Sequence, residues 1–252
     1  MSEGHHTHSH FRGKDAMEHL IEARKKGYEA SHEIHGTELP GHYSAAADAA
    51  KETSFLLVVL WILFHELKIP LTLDLTFLVA FTAGWTIWKV GRSAILGWSR
   101  LERLHRLIEE ERWEIEHHRP QEKEELKALY AAKGFEGKLL DEVIDVLMAD
   151  DNRLLKVMLE EELGLQLESY EHPLKQAAGA AVGVLAPVAL MTCALFFLPP
   201  WGVGLCSILI IGGSAAGSAH LEKNKPGAAL VWNLAVGVLA AGVAYFAAQL
   251  II

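Results

Sequence analysis

The chain has 252 residues, a net charge of −9 and apolar side chains at 51% of its positions. Its charges crowd into the first 54 positions and one central block, a division that suits a membrane protein with polar parts and not a uniform globule. Without a sustained basic face, the composition excludes a nucleic-acid partner.

Residues 1–52 read as a polar, histidine-rich N-terminal segment. It has no apolar core of a signal peptide, so Phe55 onward is expected to act as an uncleaved first span. His5, His6, His8 and His10 form an imidazole cluster suited to loose capture of zinc, nickel, copper or iron. From Gly13 to Glu38 the text is amphipathic, with Met17, Leu20 and Ile21 set against Arg24, Lys25 and Lys26. His32, Glu33, His35 and Glu38 are further donors in that stretch.

Residues 53–98 are expected to hold the first two membrane helices. Span one runs from about Thr53 to Leu67, with His65 and Glu66 at its far end and Lys68 and Pro70 after it. Span two runs from about Leu71 to Trp88, with Asp74 near its outer end. No breaker separates Trp88 from Lys89, Arg92, Arg100 and Arg103, so this helix is predicted to continue beyond the bilayer as one rod. Residues 99–172 form an acidic, helix-compatible domain, and residues 173–252 hold three more apolar segments. These are Ala177 to Leu198, Gly202 to Ala219 and Ala228 to Ile252, each near the length needed to cross the hydrocarbon core (about 20 residues). Gly179 and Gly183, then Gly213 and Gly217, stand four apart and permit close helix approach, while Pro187 sits inside span three. Cys193 and Cys206 form no CxxC and read as small embedded side chains.

The predicted fold class is therefore all-α: an integral membrane protein with five transmembrane helices and a helical domain between spans two and three. Lys and Arg are dense in the N-terminal segment and the central block, and Lys223 and Lys225 lie in the loop between spans four and five. The positive-inside rule places those parts in the cytoplasm and the C-terminus on the opposite side.

The central block, Leu101 to Leu165, carries the chemistry. Projected at the helical period, Glu111, Glu114, His118, Glu122 and Glu125 share one face, with Leu104 and Leu107 before them and Leu129 after. Glu116 and Glu124 point elsewhere. Pro120 either bends this helix or sits in the first turn of a second one. Carboxylates on a packing face repel one another and lose solvation, so a basic side chain, a proton or a cation must compensate. Oxygen ligands of this kind suit magnesium, manganese or ferrous iron, and zinc less well. Met158 and Glu162, four apart on a later helix, add a thioether and a carboxylate, which biases the set toward a transition metal.

These residues resemble the vacuolar iron transporter family, whose members have five spans and a cytoplasmic three-helix metal-binding domain between spans two and three. The family's metal-binding acids fall three, eight and three residues apart, as Glu111, Glu114, Glu122 and Glu125 do here. Its later methionine and glutamate match Met158 and Glu162, ahead of Leu163-Gly164-Leu165. HPLKQAAGAAVGVLAP with the following LPPW is similar to its third span, and Gly237 and Tyr245 fit its closing pattern. The resemblance implies a homodimer that carries ferrous iron or manganese, with zinc possible, out of the cytoplasm. It implies a transporter and not an enzyme, with those six residues as metal ligands and a lipid bilayer as host, the bacterial inner membrane being favoured.

The first half departs from the family, which carries an Asp-Gly pair in span one and an Ala-Gly-Glu in span two. Here span one has no acid in its middle, Gly91-Arg92 stands where the Gly-Glu belongs, and Asp48 is the nearest substitute for the aspartate. That departure supports an alternative: a non-transporting, membrane-anchored metal buffer or sensor. A nucleotide-driven pump is disfavoured because no GxxxxGK[ST] loop is present, and the glycine-rich GGSAAGSA lies inside an apolar segment.

Overall fold

A computed structural model describes residues 39–165, 171–199 and 201–251. The histidine cluster at 5–10 and the amphipathic stretch 13–38 lie outside the described residues. All regular structure among the described residues is helical: α1 (Gly41–Glu66), α2 (Leu71–His117), α3 (Arg119–Ala132), α4 (Gly137–Met148), α5 (Asp151–Glu161), α6 (Pro173–Phe197), α7 (Gly202–Leu221) and α8 (Pro226–Ile251). The described residues divide into two compact units, 100–165 and 39–99 with 171–251.

In the larger unit α1 is the hub, packing against α6, α7 and α8. Its buried face is small: Ala49, Thr53, Ser54 and Leu57. Gly179 and Gly183 on α6 answer that face. A Cβ at Gly179 would stand 2.1 Å from the carbonyl oxygen of His42, and one at Gly183 would stand 2.2 Å from that of Ala46. Without side chains there, the two backbones touch, and dispersion between packed helices holds them where burial from water supplies little. The second glycine pair behaves differently, since none of the described residues lies within 4 Å of a Cβ at Gly213 or Gly217. The close approach on α7 is made instead by Gly202, whose Cβ would meet the carbonyl oxygen of Ala194 at 2.3 Å.

Polar contacts fix the ends of this unit. The Glu171 carboxylate accepts from the His42 backbone N–H at 2.6 Å, near the start of α1, and Lys175 of α6 lies 2.8 Å from it. His172 caps α6 by accepting from the Leu174 N–H, with Pro173 in the first turn, where a missing N–H costs nothing. Between α1 and α2, Trp85 Nε1 donates to Thr53 Oγ1 at 2.9 Å, and Lys89 Nζ meets Glu52 Oε2 at 2.7 Å.

Four helices are long and apolar enough to cross a membrane among the described residues: α2, α6, α7 and α8. Many large apolar side chains on α2 and α8 are exposed, among them Ile87, Trp88, Trp232 and Leu239. This is the surface of a multi-pass membrane protein. The helix α1 is not among the four. It begins at Gly41, twelve residues before the expected start of span one, and its first half carries Asp48, Lys51 and Glu52.

The smaller unit is built from the last turns of α2 with α3, α4 and α5. Its core joins Leu104, Leu107 and Ile115 of α2 to Leu126 of α3, Ile144 of α4 and Leu154, Met158 and Leu159 of α5. On its outside, basic residues one turn apart on α3 pair with acids in order: Arg119 with Asp151 at 2.6 Å, Lys123 with Asp145 at 2.8 Å and Lys127 with Asp141 at 3.0 Å. The amphipathic period of α3 thus sends its lysines to solvent and its Glu122, Glu125, Leu126 and Leu129 inward.

Candidate metal centre

The local sequence settles how the acids meet. The helix does not continue through Pro120; α2 ends at His117, His118 takes a non-helical conformation, and Pro120 lies in the first turn of α3. The acids therefore do not form one stripe. They are two i,i+3 pairs on successive helices, Glu111 with Glu114 and Glu122 with Glu125, both buried. His118, projected onto the same seam, is half-buried at the break and packs edge-on against Trp113. Glu116 and Glu124 are exposed, as their phase on the helix predicts.

The third contribution comes from α5. Asp150 caps its start by accepting from the Arg153 N–H, and Gly164, at φ 67°, turns the chain away just past its end. Glu162 is the last residue of that turn, one turn beyond Met158, and both are buried in the core of the unit. One carboxylate oxygen from each of Glu111, Glu122 and Glu162 lies within 4.8 Å of the others. Oxygens bound to a common hard cation at about 2.1–2.5 Å fall in that range of separations. Glu114 and Glu125 are near enough to act electrostatically on both Glu122 and Glu162.

The electrostatics are one-sided. Glu122 is fully buried, and neither of its carboxylate oxygens has a hydrogen-bond partner among the described residues. Burial, and then the charges of Glu111, Glu125 and Glu114, push its pKa from 4.5 up to about 10. Glu162 is raised well above the ordinary carboxylate range, first by burial and then by Glu111, Glu125, Glu122 and Glu114. No lysine or arginine among the described residues contributes to either shift. An arrangement of this kind holds protons at neutral pH when empty and carboxylates when a cation replaces those protons. The oxygen set with an adjacent buried thioether fits a divalent transition metal of the manganese or ferrous type.

The sequence reading placed six residues here: Glu111, Glu114, Glu122, Glu125, Met158 and Glu162. The structure buries all six in one unit and brings oxygens of Glu111, Glu122 and Glu162 closest together. Arg92 and Asp48 are exposed side chains of the other unit. What the sequence reading passed over is the Glu52–Lys89 contact, in which the buried cation on α2 is Lys89 and not Arg92. The signal was available, since Lys89 stands one turn after Trp85 just as Glu52 stands beside Thr53, the Trp85 partner.

A model of the VIT family matches residues 98–249, more than half of the chain. The match takes in all six candidate ligands and α6 to α8. No curated protein matches the chain.

Proposed function

The chain belongs to the VIT family, a family of membrane metal-ion transporters, and on that premise we propose that it moves a divalent metal, ferrous iron or manganese, out of the cytoplasm. The single observation that carries this reading is the buried carboxylate group of Glu111, Glu122 and Glu162, with only like charges among the described residues acting on its most buried member. In this reading Glu111, Glu114, Glu122, Glu125, Met158 and Glu162 take up the metal as cargo from the cytoplasm, exchanging it for protons. Zinc is the weaker fit, because it favours nitrogen and sulfur donors. The helices α1, α2, α6, α7 and α8 form five spans, with the N-terminus and the central domain cytoplasmic and the C-terminus opposite. The exposed apolar faces of α2 and α8 meet lipid and a second copy in a homodimer. No bond of the cargo is made or broken, so the activity is transport and not catalysis.

The Glu52–Lys89 contact favours one alternative, a membrane-anchored metal buffer or sensor without transport. Uptake of Mn2+ into proteoliposomes separates the two. Flux in the unaltered chain that is lost in Glu111→Ala with Glu122→Ala supports transport. Binding without flux supports the buffer, and absence of both overturns the metal reading.

A further inference from the structure

Past its apolar length, α2 carries a row of arginines that the metal reading does not use. Residues 89–106 hold Lys89, Arg92, Arg100, Arg103 and Arg106 against one acid, Glu102, in a chain whose net charge is −9. Beyond Leu107 the sign reverses, with Glu109, Glu110 and Glu116 exposed on the same helix. Lys89 is taken by Glu52. Arg100, Arg103 and Arg106 are exposed, and none of them has an ion pair or hydrogen bond with Glu102 or any other described residue. The bases of α3 stand in contrast, since Arg119, Lys123 and Lys127 each have an acid partner. At i, i+3 and i+6 the three arginines follow one side of their helix, over about 9 Å of its axis. The neighbouring helix gives the depth of this row. A Cβ at Gly97 would stand 2.9 Å from Pro173 Cα, so this turn of α2 is level with the first turn of α6. Counted back from Phe197, the roughly 20 residues that cross a hydrocarbon core reach Ala178. Pro173 and Gly97 then stand about 7 Å beyond the core, at the depth of lipid headgroups. Trp98 is exposed there and meets His172 edge-on at 6.0 Å, in the place and with the residue type of an interfacial anchor. Arg100 comes next along the same unbroken helix.

We propose that Arg100, Arg103 and Arg106 bind the phosphates of anionic phospholipids in the leaflet at the start of α6. Guanidinium groups meet phosphate oxygens two at a time, where an ammonium acts only as a point charge. The attraction of an anionic lipid surface for basic residues beside a span fades within a Debye length, about 8–10 Å. That distance matches the length of the row, so Arg100 feels the surface most and Arg106 least. The acids beyond Leu107 stand further out, where their repulsion by the same surface is screened. Phosphatidylcholine carries the same phosphate without net charge, so the row selects anionic over zwitterionic lipid. The inference goes beyond the metal reading and shares with it only the membrane setting of α2 and α6.

The test is binding of a fluorescent phosphatidylglycerol to the full chain in nonionic detergent, with phosphatidylcholine and inorganic phosphate as competitors. The unaltered chain is expected to prefer phosphatidylglycerol over phosphatidylcholine by at least about tenfold, less so as salt rises. Arg100→Gln, Arg103→Gln and Arg106→Gln together are expected to weaken phosphatidylglycerol on the order of a hundredfold, about fivefold for each arginine. Phosphatidylcholine binding is expected to stay as it was. Among single changes, Arg100→Gln costs more than Arg106→Gln. Replacing all three by Lys keeps the charge and most of the preference, and Arg103→Gln alone serves if the triple Gln variant does not fold. No preference in the unaltered chain overturns the proposal, as does a preference unchanged in the folded Gln variant. Displacement of the lipid by millimolar inorganic phosphate overturns it too, since the row would then be a site for free phosphate. Absence of Mn2+ binding and flux in the unaltered chain sinks the transport reading instead, and leaves the lipid comparison intact.

Discussion

At Glu122 burial is complete and, among the described residues, every charge that shifts the carboxyl belongs to another carboxylate, whereas at Glu52 a lysine ammonium lies 2.7 Å away. Both acids sit on helices that pack against neighbours, so packing alone does not distinguish them. The distinction is in what neutralises each. Around Glu122 the basic side chains of α3 are drawn outward, with Arg119, Lys123 and Lys127 paired to Asp151, Asp145 and Asp141 on the surface. Nothing basic is left to turn inward from that helix, and among the described residues none supplies a compensating positive charge to Glu122. In the α1–α2 contact the chain supplies its own cation. An acid compensated from within is a structural contact, and a buried one without such a partner favours a proton or a bound cation.

The comparison can be broken first at the cluster. Replacing Glu122 or Glu162 with Gln is expected to weaken Mn2+ binding on the order of a hundredfold, since each change removes one of three convergent oxygens from a buried set. Equilibrium dialysis of the full chain reads this directly. The next effect is in pH. Protons must leave the raised carboxyls before metal enters, so Mn2+ affinity is expected to climb about tenfold per pH unit for each proton displaced. The metal-free chain responds in the opposite sense. The folded pKa of Glu122 stands above its unfolded value, so the folded state binds the extra proton between about 4.5 and about 10. Its contribution to stability is fully present below the lower value and is lost as the pH rises toward the upper one. Thermal unfolding of Glu122→Gln, which mimics the protonated acid, should show a flatter pH dependence and little change near neutrality.

The α1–α2 contact gives a smaller signal of another kind. Lys89→Ala leaves Glu52 without its ammonium, but Glu52 is close to half exposed, so screening limits the loss to about 1–2 kcal/mol. A lower melting temperature with unchanged Mn2+ affinity at the cluster is the expected pair of results. The outermost contacts should matter least: Lys123→Ala, which removes an exposed pair with Asp145, is expected to leave both metal affinity and melting temperature within error.

How far this contrast could be read from the sequence depends on the range of the interactions involved. The apolar lengths of α2, α6, α7 and α8 and the inward phase of Glu111, Glu114, Glu122 and Glu125 follow from composition and period. The inward turn of Met158 and Glu162 does so too, because burial selects residues by helical phase. Of the two readings of Pro120, a bend or the first turn of a second helix, the structure takes the second. Pro120 starts a new helix, and its phase no longer follows from that of α2. The start of α1 at Gly41 was hidden because Asp48, Lys51 and Glu52 mask a helical segment whose small face is defined only by Gly179 and Gly183 opposite it. For the same reason Arg92, prominent in the text, is exposed, while the quieter Lys89 is buried. Which cation reaches an acid is decided by tertiary packing and not by local pattern.

The central claim is that the buried glutamates of the smaller unit exchange protons for a divalent metal. Calorimetric titration of the full chain with Mn2+, repeated in two buffers of different ionisation heat, counts both at once. The account predicts saturable binding at the cluster with release of at least about one proton per metal at neutral pH, and loss of both in the Glu122→Gln, Glu162→Gln chain. Mn2+ binding that is unchanged in that variant, or that releases no proton, would contradict it.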